Sequence, residues 1–516
     1  MEPQEESPSK QYLHIGRASE LSGRDRVLYR AFEMLPGILS WVTLIGIVLL
    51  SIFAPRFAAY FIILFSLYWL LKTIYFSIHL RYNWKRLKHN LKVDWGDMLL
   101  NLKDEHIRHL VILPFSIESE ETVRRSLQGL VDAKGEKKHF FVVLAGEERR
   151  GKEGREIAEK MKKEFARRFG VFLATFHPDN VQGEMIGKGS NIAYAAEEAR
   201  KEILTTHSVP HQDVIVSAFD TDTICYPEYF NCLTWHFLTV ENPHRVSFQP
   251  VPFYNNNIWD VPVLSRVVAV SSTFWQMIQQ ERPEKLSTFS SHSMSFKALY
   301  EVGYWQKNMV SEDSRIFWNL FVFYNGEYEV VPISYPVSMD ANLAPTIWQT
   351  MKGVYKQHRR WSWGVENIPY VLFHFTKNKK IPFKKKLQVT YMKVEGFWSL
   401  ATHPLILFIL GWLPIFVGGR AFNVTVLSYN LPIVARSLLT IAMLGLVVSA
   451  IISLSLLPPR PKGKSMRHYI GMVVQWILVP VTMVIFSALP GLDAQTRLLF
   501  GRYMGFWITH KHVVKK

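Results

Sequence analysis

Cysteine is nearly absent: Cys225 and Cys232 are the two in 516 residues. Two thiols are too few for a disulfide framework, and their spacing suggests no metal-ligand pair. Seven apart on an expected helix, they read as inert thiols that fit a reducing, cytosolic face. Neither a Walker A loop nor a Gly-x-Gly-x-x-Gly fingerprint is present. Zinc-finger spacing and the ribonucleoprotein aromatic motif are missing too, which argues against nucleic acid as a partner. No internal repeat is evident. Residues 1–34 lack the short apolar core and small-residue cleavage site of a secretory signal, and they read as a flexible cytosolic tail.

What is abundant is apolar surface and positive charge. Hydrophobic residues make up 48% of the chain and aromatics 14%, with 16 tryptophans. They gather toward both ends, the pattern of membrane spans flanking a soluble insert. The net charge is +17, and its placement suits the positive-inside bias. Arg81, Lys85, Arg86 and Lys88 follow one apolar run, and Lys377, Lys379, Lys380, Lys384, Lys385 and Lys386 precede another.

Leu35–Ala54 and Phe57–Ile78 are each about 20 residues, enough to cross a hydrocarbon core of about 30 Å. Pro55-Arg56 is read as the turn between them. The reading is therefore a hairpin over 35–80 and a basic juxtamembrane linker over 81–105. Three further spans are expected within 398–490, near Trp398–Val417, Ile433–Leu457 and Tyr469–Leu489, after a basic interfacial linker over 377–397. The loop with Arg460, Lys462, Lys464 and Arg467 is expected to be cytosolic. Five spans from a cytosolic start put the tail, 491–516, outside, yet it carries Lys511, His512, Lys515 and Lys516. A sixth short or re-entrant element within Asp493–Thr509, or one span fewer, reconciles the two.

Between these groups the period changes. Strands are expected at His109–Phe115, His139–Leu144, Val171–Phe176 and Asp213–Phe219, alternating with helices at Glu118–Val131, Lys152–Phe169 and Ser190–Leu204. Continuous apolar strands alternating with helices predict an α/β domain over 106–376 with a doubly wound, mostly parallel sheet. Arg245–Val251 and Tyr328–Pro332 are later strand candidates.

Four places carry chemistry. Asp220 and Asp222 follow the strand ending at Phe219, and ligands bind beyond the carboxyl ends of such strands. Two carboxylates there suit a hard divalent cation held against a diphosphate; alone, an Asp-x-Asp arises by chance about once in a chain this long. Glu312 and Asp313 open a helix, as a simple cap or as a general base for a hydroxyl. Gln357, Arg360 and Trp361 share one helix face; an arginine fork suits phosphate oxygens and an indole suits a sugar ring. The competing reading is an interfacial Arg-Trp belt. Lys188, Gly189 and Asn191 sit where a loop enters a helix, a place for an anion or a plain N-cap at Ser190. His292, in a serine-rich stretch, reads as solvated, with an acceptor-lining loop as the alternative.

In this order the motifs resemble the family 2 glycosyltransferases, above all the membrane-bound branch with the cellulose and hyaluronan synthases. The resemblance covers residues 107–365 and extends to the flanking helices. It implies a GT-A-like fold, inverting transfer, a nucleoside-diphosphate sugar donor, Mg²⁺ or Mn²⁺, and a polysaccharide or lipid-linked acceptor beside membrane lipids. It further implies that Asp220 and Asp222 bind metal and diphosphate and that Asp313 is the base, next to Glu312. Gln357, Arg360 and Trp361 would hold diphosphate and acceptor sugar, with Lys188 and Asn191 near the donor. The chain departs from the family at Leu144-Ala145-Gly146-Glu147-Glu148, where an aspartate-rich base-gripping loop is usual, and at Ser291-His292-Ser293, where the acceptor motif is usual. A transporter with a regulatory nucleotide domain is the rival from another class; it predicts charged or broken residues within spans, of which Lys72 and Arg436, near span ends, are the few.

Overall fold

The computed structural model describes residues 11–459, 461 and 466–505. An eight-stranded sheet lies at its centre. The strands are β1 (Arg108–Pro114), β2 (Phe140–Glu147), β3 (Val171–His177), β4 (Val214–Ala218), β5 (Ile224–Cys225), β6 (Val246–Phe253), β7 (His292–Ser295) and β8 (Glu329–Ser338). Their order is β3-β2-β1-β4-β7-β6-β8-β5. The first four pair in parallel, with Val111 beside Val142 and Ile112 beside Ala218. The other half is mixed: β7 runs antiparallel to β4 and β6, β8 is parallel to β6, and β5 is antiparallel to β8. The expected mostly parallel sheet is thus corrected to a mixed one. The cause is β7, a short polar strand whose sequence, His-Ser-Met-Ser, carries no apolar signal.

Two helices, α1 (Gly23–Phe53) and α2 (Pro55–Asn90), precede the sheet. Helices α3 (Glu120–Asp132), α4 (Gly151–Phe165) and α5 (Lys188–Ala199) connect its parallel strands. Period-2 alternation divides their core. Leu110, Ile112, Val143 and Val216 face Ala195, Ala196 and Ala199 of α5. Val111, Leu113, Val142 and Ile215 face Leu127 and Leu130 of α3 and Met161 of α4. Both faces are covered, which is why β1 and β2 read as unbroken apolar runs.

The mixed half is framed by α6 (Tyr229–Thr239), α7 (Val263–Gln280), α8 (Glu312–Phe323), α9 (Ile347–Ser362) and α10 (Asn367–Lys377). Cys225 lies on β5 and Cys232 on α6, both buried and free; the single helix expected to carry both is two elements. Phe383–Phe408 forms α11 and Val426–Ser455 forms α12.

Among the described residues four helical stretches are long and apolar enough to cross a membrane: Gly23–Phe53, Pro55–Asn90, Val426–Ser455 and Tyr469–Leu499. A fifth results if α11 and Leu410–Val417, bent by 47°, count as one span. Phe53, Phe57, Phe416 and Tyr429 are outward-facing and largely exposed, an apolar surface too extensive for water alone. At 36 residues α2 is about 54 Å long, well beyond a membrane's apolar thickness. Its far end docks on the sheet, where Asn83 donates to Ser334 Oγ at 3.1 Å and Asn90 to the Ile333 carbonyl at 3.3 Å. The stretch expected as a linker from residue 81 is therefore helical to Asn90.

The expected flexible tail is likewise ordered over 11–34. The buried guanidinium of Arg315 donates to the Ile15 carbonyl at 2.9 Å and to Asn367 Oδ1 at 2.7 Å, and it lies 4.0 Å over the Tyr370 ring. Tyr370 in turn donates to the Leu13 carbonyl at 2.9 Å. Arg460, Lys462, Lys464, Lys511, His512, Lys515 and Lys516 lie outside the described residues.

Candidate active site

Four chain segments meet at the carboxyl end of β4. Asp220 follows the strand, Lys188 stands at the start of α5, Asp313 in the first turn of α8, and Ser290 just before β7. Lys188 Nζ bridges the two acids, 2.6 Å from Asp220 Oδ1 and 2.8 Å from Asp313 Oδ1. Ser290 donates to Asp220 Oδ2 at 2.6 Å. It does so with a φ of +47°, a strained backbone for a residue with a Cβ. Gln249 fixes that conformation. Its amide donates to the carbonyls of Phe289 and Ser291, both at 3.1 Å, and accepts from the Phe289 N–H at 2.9 Å.

Asp222, on the same turn, is buried and accepts from the Asp340 N–H at 3.1 Å. Asp340, at the end of β8, is held by Arg125 of α3 at 2.8 Å. Tyr254, beyond β6, senses the whole group. Burial lifts its phenol well above the usual range; Asp220, Asp222 and Asp313 lift it further, and Arg360 opposes them. Three acids and the arginine of α9 thus share one electrostatic neighbourhood. Trp361 closes one wall, 5.9 Å from the Tyr254 ring and 5.6 Å from that of Phe289. Gln357, His358 and Asp340 line the same cleft.

Protonation follows from this packing. Burial alone would lower the Lys188 ammonium, but Asp220, Asp313 and Glu312 outweigh it and hold the lysine charged. Asp313 is raised by burial and by Asp220, with Lys188 pulling the other way. Glu312 is raised by burial and by Asp313, and its Oε1 is buried without a hydrogen bond. Glu118, after β1, is raised by burial and lies close enough to Asp222 to be raised further by it.

Most sequence candidates gather here: Lys188, Asp220, Asp222, Glu312, Asp313, Gln357, Arg360 and Trp361. Asn191 does not join the hydrogen-bonded cluster. Its amide donates to the Ala145 carbonyl at 2.8 Å, tying α5 to the end of β2. His292 corrects the solvated-loop expectation. It is fully buried on β7; its Nε2 accepts from Trp305 Nε1 at 3.2 Å, which leaves Nδ1–H to donate to the Ser290 carbonyl at 3.1 Å. Burial beside Lys188 lowers it to about 3, so it is a neutral strut. Glu147 is engaged by Arg149.

Sequence reasoning missed Tyr254, Arg125 and Asp340; Ser290 lay in the serine-rich stretch singled out with His292, without a role of its own. Asp340 alone had a readable signal, an acid closing an apolar strand as Asp220 does. Among the described residues no group of three or more His, Cys, Asp or Glu side chains is arranged to hold a metal ion.

Comparison with known proteins adds a family. Residues 215–489, just over half of the chain, match glycosyl transferase family group 2. The poly-beta-1,6-N-acetyl-D-glucosamine synthase of Staphylococcus epidermidis is 28% identical over 165 residues, 31% of this chain and 36% of that protein. The matched stretch therefore spans about a third of the length of the curated relatives. Among solved structures, a mannosyltransferase from Pyrobaculum calidifontis in complex with GDP-Man and Mn²⁺ is similar over 82% of this chain and 99% of its own, at 15% identity and a TM-score of 0.38. S. aureus TarS 1–349 in complex with UDP-GlcNAc is similar over 65% and 92%, at 12% identity and a TM-score of 0.30. A family match across the second half of the sheet, the Asp222 and Asp313 segments and the helix of Arg360 makes the chain a member of glycosyl transferase family group 2.

Proposed function

We propose that the chain is a membrane-embedded, inverting glycosyltransferase. It moves a sugar from a nucleoside-diphosphate donor to an acceptor hydroxyl at the cleft between Asp220, Asp313 and Trp361. The observation that carries this reading is the Lys188 bridge between Asp220 and Asp313, 2.6 and 2.8 Å long. Asp220 and Asp313, distant from each other in the chain, meet at one cation that is itself 125 positions from Asp313, beside an arginine and an indole.

Asp313 takes the proton of the acceptor hydroxyl. The hydroxyl oxygen then bonds to the anomeric carbon as the bond to the diphosphate breaks on the opposite face, and the nucleoside diphosphate leaves. Lys188 and Arg360, the cations of the cleft, stabilise electrostatically the negative charge that develops on the leaving group. Trp361 orients the acceptor ring. Burial of Asp313 favours its role, since a raised carboxylate is a stronger base.

Asp220 and Asp222 are hard oxygen donors on one turn. A site of one or two carboxylates completed by substrate phosphates is what Mg²⁺ or Mn²⁺ takes, so the residues fit such an ion even without a third protein ligand. When bound, that ion neutralises the diphosphate. Asp220 and Asp222 would hold it, with the Asp340 N–H orienting the Asp222 carboxylate.

The long apolar helices hold the domain at a membrane, and the basic residues at the inner end of α2, Arg81, Lys85, Arg86 and Lys88, set the catalytic side toward the cytosol. A thermal-shift panel of nucleotide sugars with Mn²⁺ tests the donor side. Stabilisation by one nucleotide class, lost in Asp222→Ala, is expected. No stabilisation by any nucleotide sugar would overturn the reading.

A further inference from the structure

A large cavity of about 1360 Å³ lies between the catalytic cleft and the apolar helices. Phe289, His358 and Trp361 are at its catalytic end. The other walls come from α2, α7, α8, the start of β8, α11, α12 and the last helical stretch. Its character changes along α11. Lys384, Lys385, Gln388 and Lys393 line it from the first half of that helix, with Val389 and Met392 between them; Leu400, Leu407 and Phe408 line it from the second, with Ser399 and His403. Lys393 and Leu407 are about 21 Å apart along the helix axis.

Around Leu407 the wall is completed by Leu438, Leu439, Ala442 and Met443 of α12. These side chains offer nothing to a hydroxyl. Ser399, His403, Thr482 and Ser487 are the polar side chains that the second half of α11 and the last helical stretch add; they are fewer than the hydroxyls of a bare glycan would need, whereas a hydrocarbon chain suits the apolar side chains between them. Lys393 supplies the second, independent observation. Its Nζ sits 4.3 Å over the Trp318 ring, and among the described residues no carboxylate lies within ion-pair distance of it. Lys72, on the same cavity, is by contrast paired with Glu395. A cation on an apolar wall without a counter-ion is a seat for an anion.

We infer that this cavity is the acceptor site and that its occupant is a phosphate-bearing amphipathic lipid. The hydrocarbon lies among Leu407, Leu439 and Met443, the phosphate is at Lys393, and the hydroxylated head points to Trp361 and Asp313. The inference rests on the transfer reading above and gives it an acceptor class. Two sources share this chemistry, prenyl-phosphate glycosides and glycerophospholipids with polyol heads.

The test uses the full chain in nanodiscs of zwitterionic lipid. Three probes carry a photoreactive diazirine in the tail: a prenyl-phosphate glycoside, a phosphatidylglycerol and an uncharged diacylglycerol glycoside. Labelling near Leu407 and Met443 by a phosphate probe is expected to exceed that by the uncharged probe several-fold, and the stronger phosphate arm identifies the source. Lys393→Gln and Ala442→Trp should each lower that labelling several-fold, while Lys393→Arg retains it and so separates lost charge from lost folding. Equal labelling by the uncharged probe overturns the inference, as does labelling indifferent to both Lys393→Gln and Ala442→Trp. Asp313→Asn should leave labelling intact and stop sugar transfer to the probe. If labelling behaves as expected but Asp313→Asn still transfers, the lipid site stands and the base assignment falls. If Asp313→Asn abolishes transfer to a soluble oligosaccharide while no probe labels, the lipid site falls and the base stands.

Discussion

The two halves of the sheet do different work. The parallel half, β3-β2-β1-β4, is two-sided core about β1, β2 and β4, and its candidate site residues, Lys188 and Asp220, stand beyond the strand ends. The mixed half, β7-β6-β8-β5, buries polar side chains within the strands themselves. Ser217 and Ser293 bond across the junction at 2.7 Å, Gln249 pins the loop before β7, and His292 braces the Ser290 carbonyl. One half supplies stability and a platform; the other supplies the hydrogen-bonded framework that sets Ser290, Tyr254 and Asp340 around the acids. Catalytic geometry should therefore be sensitive to polar substitutions in the second half and indifferent to core truncations in the first.

The sharpest division comes from Asp313→Asn. Loss of a general base is expected to lower kcat by about 10²–10⁴-fold with donor binding retained, measured by turnover beside donor titration. The same group fixes a pH dependence. As the proposed base Asp313 must be ionised, and burial raises its pKa, so kcat/KM should fall as pH drops through a value above the ordinary aspartate range of about 3.9. An acid limb at or below that range would break the assignment.

Lys188→Met removes the cation between two acids. A buried pair left with one partner costs about 3–5 kcal/mol, so denaturant unfolding should show a loss near that size, relieved as pH falls and the carboxylates protonate. In the parallel half, Leu127→Ala is expected to cost about 2–5 kcal/mol of stability with kcat/KM unchanged at a temperature where the variant is folded. Should kcat/KM fall as well, the two halves are not separable. The smallest effect expected is that of Gln249→Ala. It leaves the Phe289 and Ser291 carbonyls buried without their donor, at about 1–3 kcal/mol, and frees Ser290, so KM for donor or acceptor should rise more than stability falls.

The parallel half was legible because its physics is local. Apolar runs such as Leu110–Leu113 and Phe140–Leu144 announce strands, and charged periodic runs such as Gly151–Phe165 announce helices, so β1 to β4 and α3 to α5 fall close to expectation. The mixed half was not. β7 is four residues long and polar, and it is a strand because Ser217, Gln249 and Trp305 satisfy it from elsewhere. His292 looked solvated for the same reason. Tyr254 carries no pattern at all, and Ser290 only that of a polar stretch, because their contacts are with partners distant in sequence.

The sequence alone determined that apolar helices flank an α/β domain, that acids stand at a strand end and a helix start, and that Gln357, Arg360 and Trp361 share a face. Each of these is a matter of composition, period or neighbouring residues. Only the tertiary structure decided that residues 11–22 brace the domain through Arg315, that the sheet is mixed, and that Lys188 joins Asp220 to Asp313. It also decided that a cavity runs from Trp361 to α12. Those are contacts between segments tens to hundreds of residues apart, and a linear pattern encodes the groups that make them without encoding which groups meet.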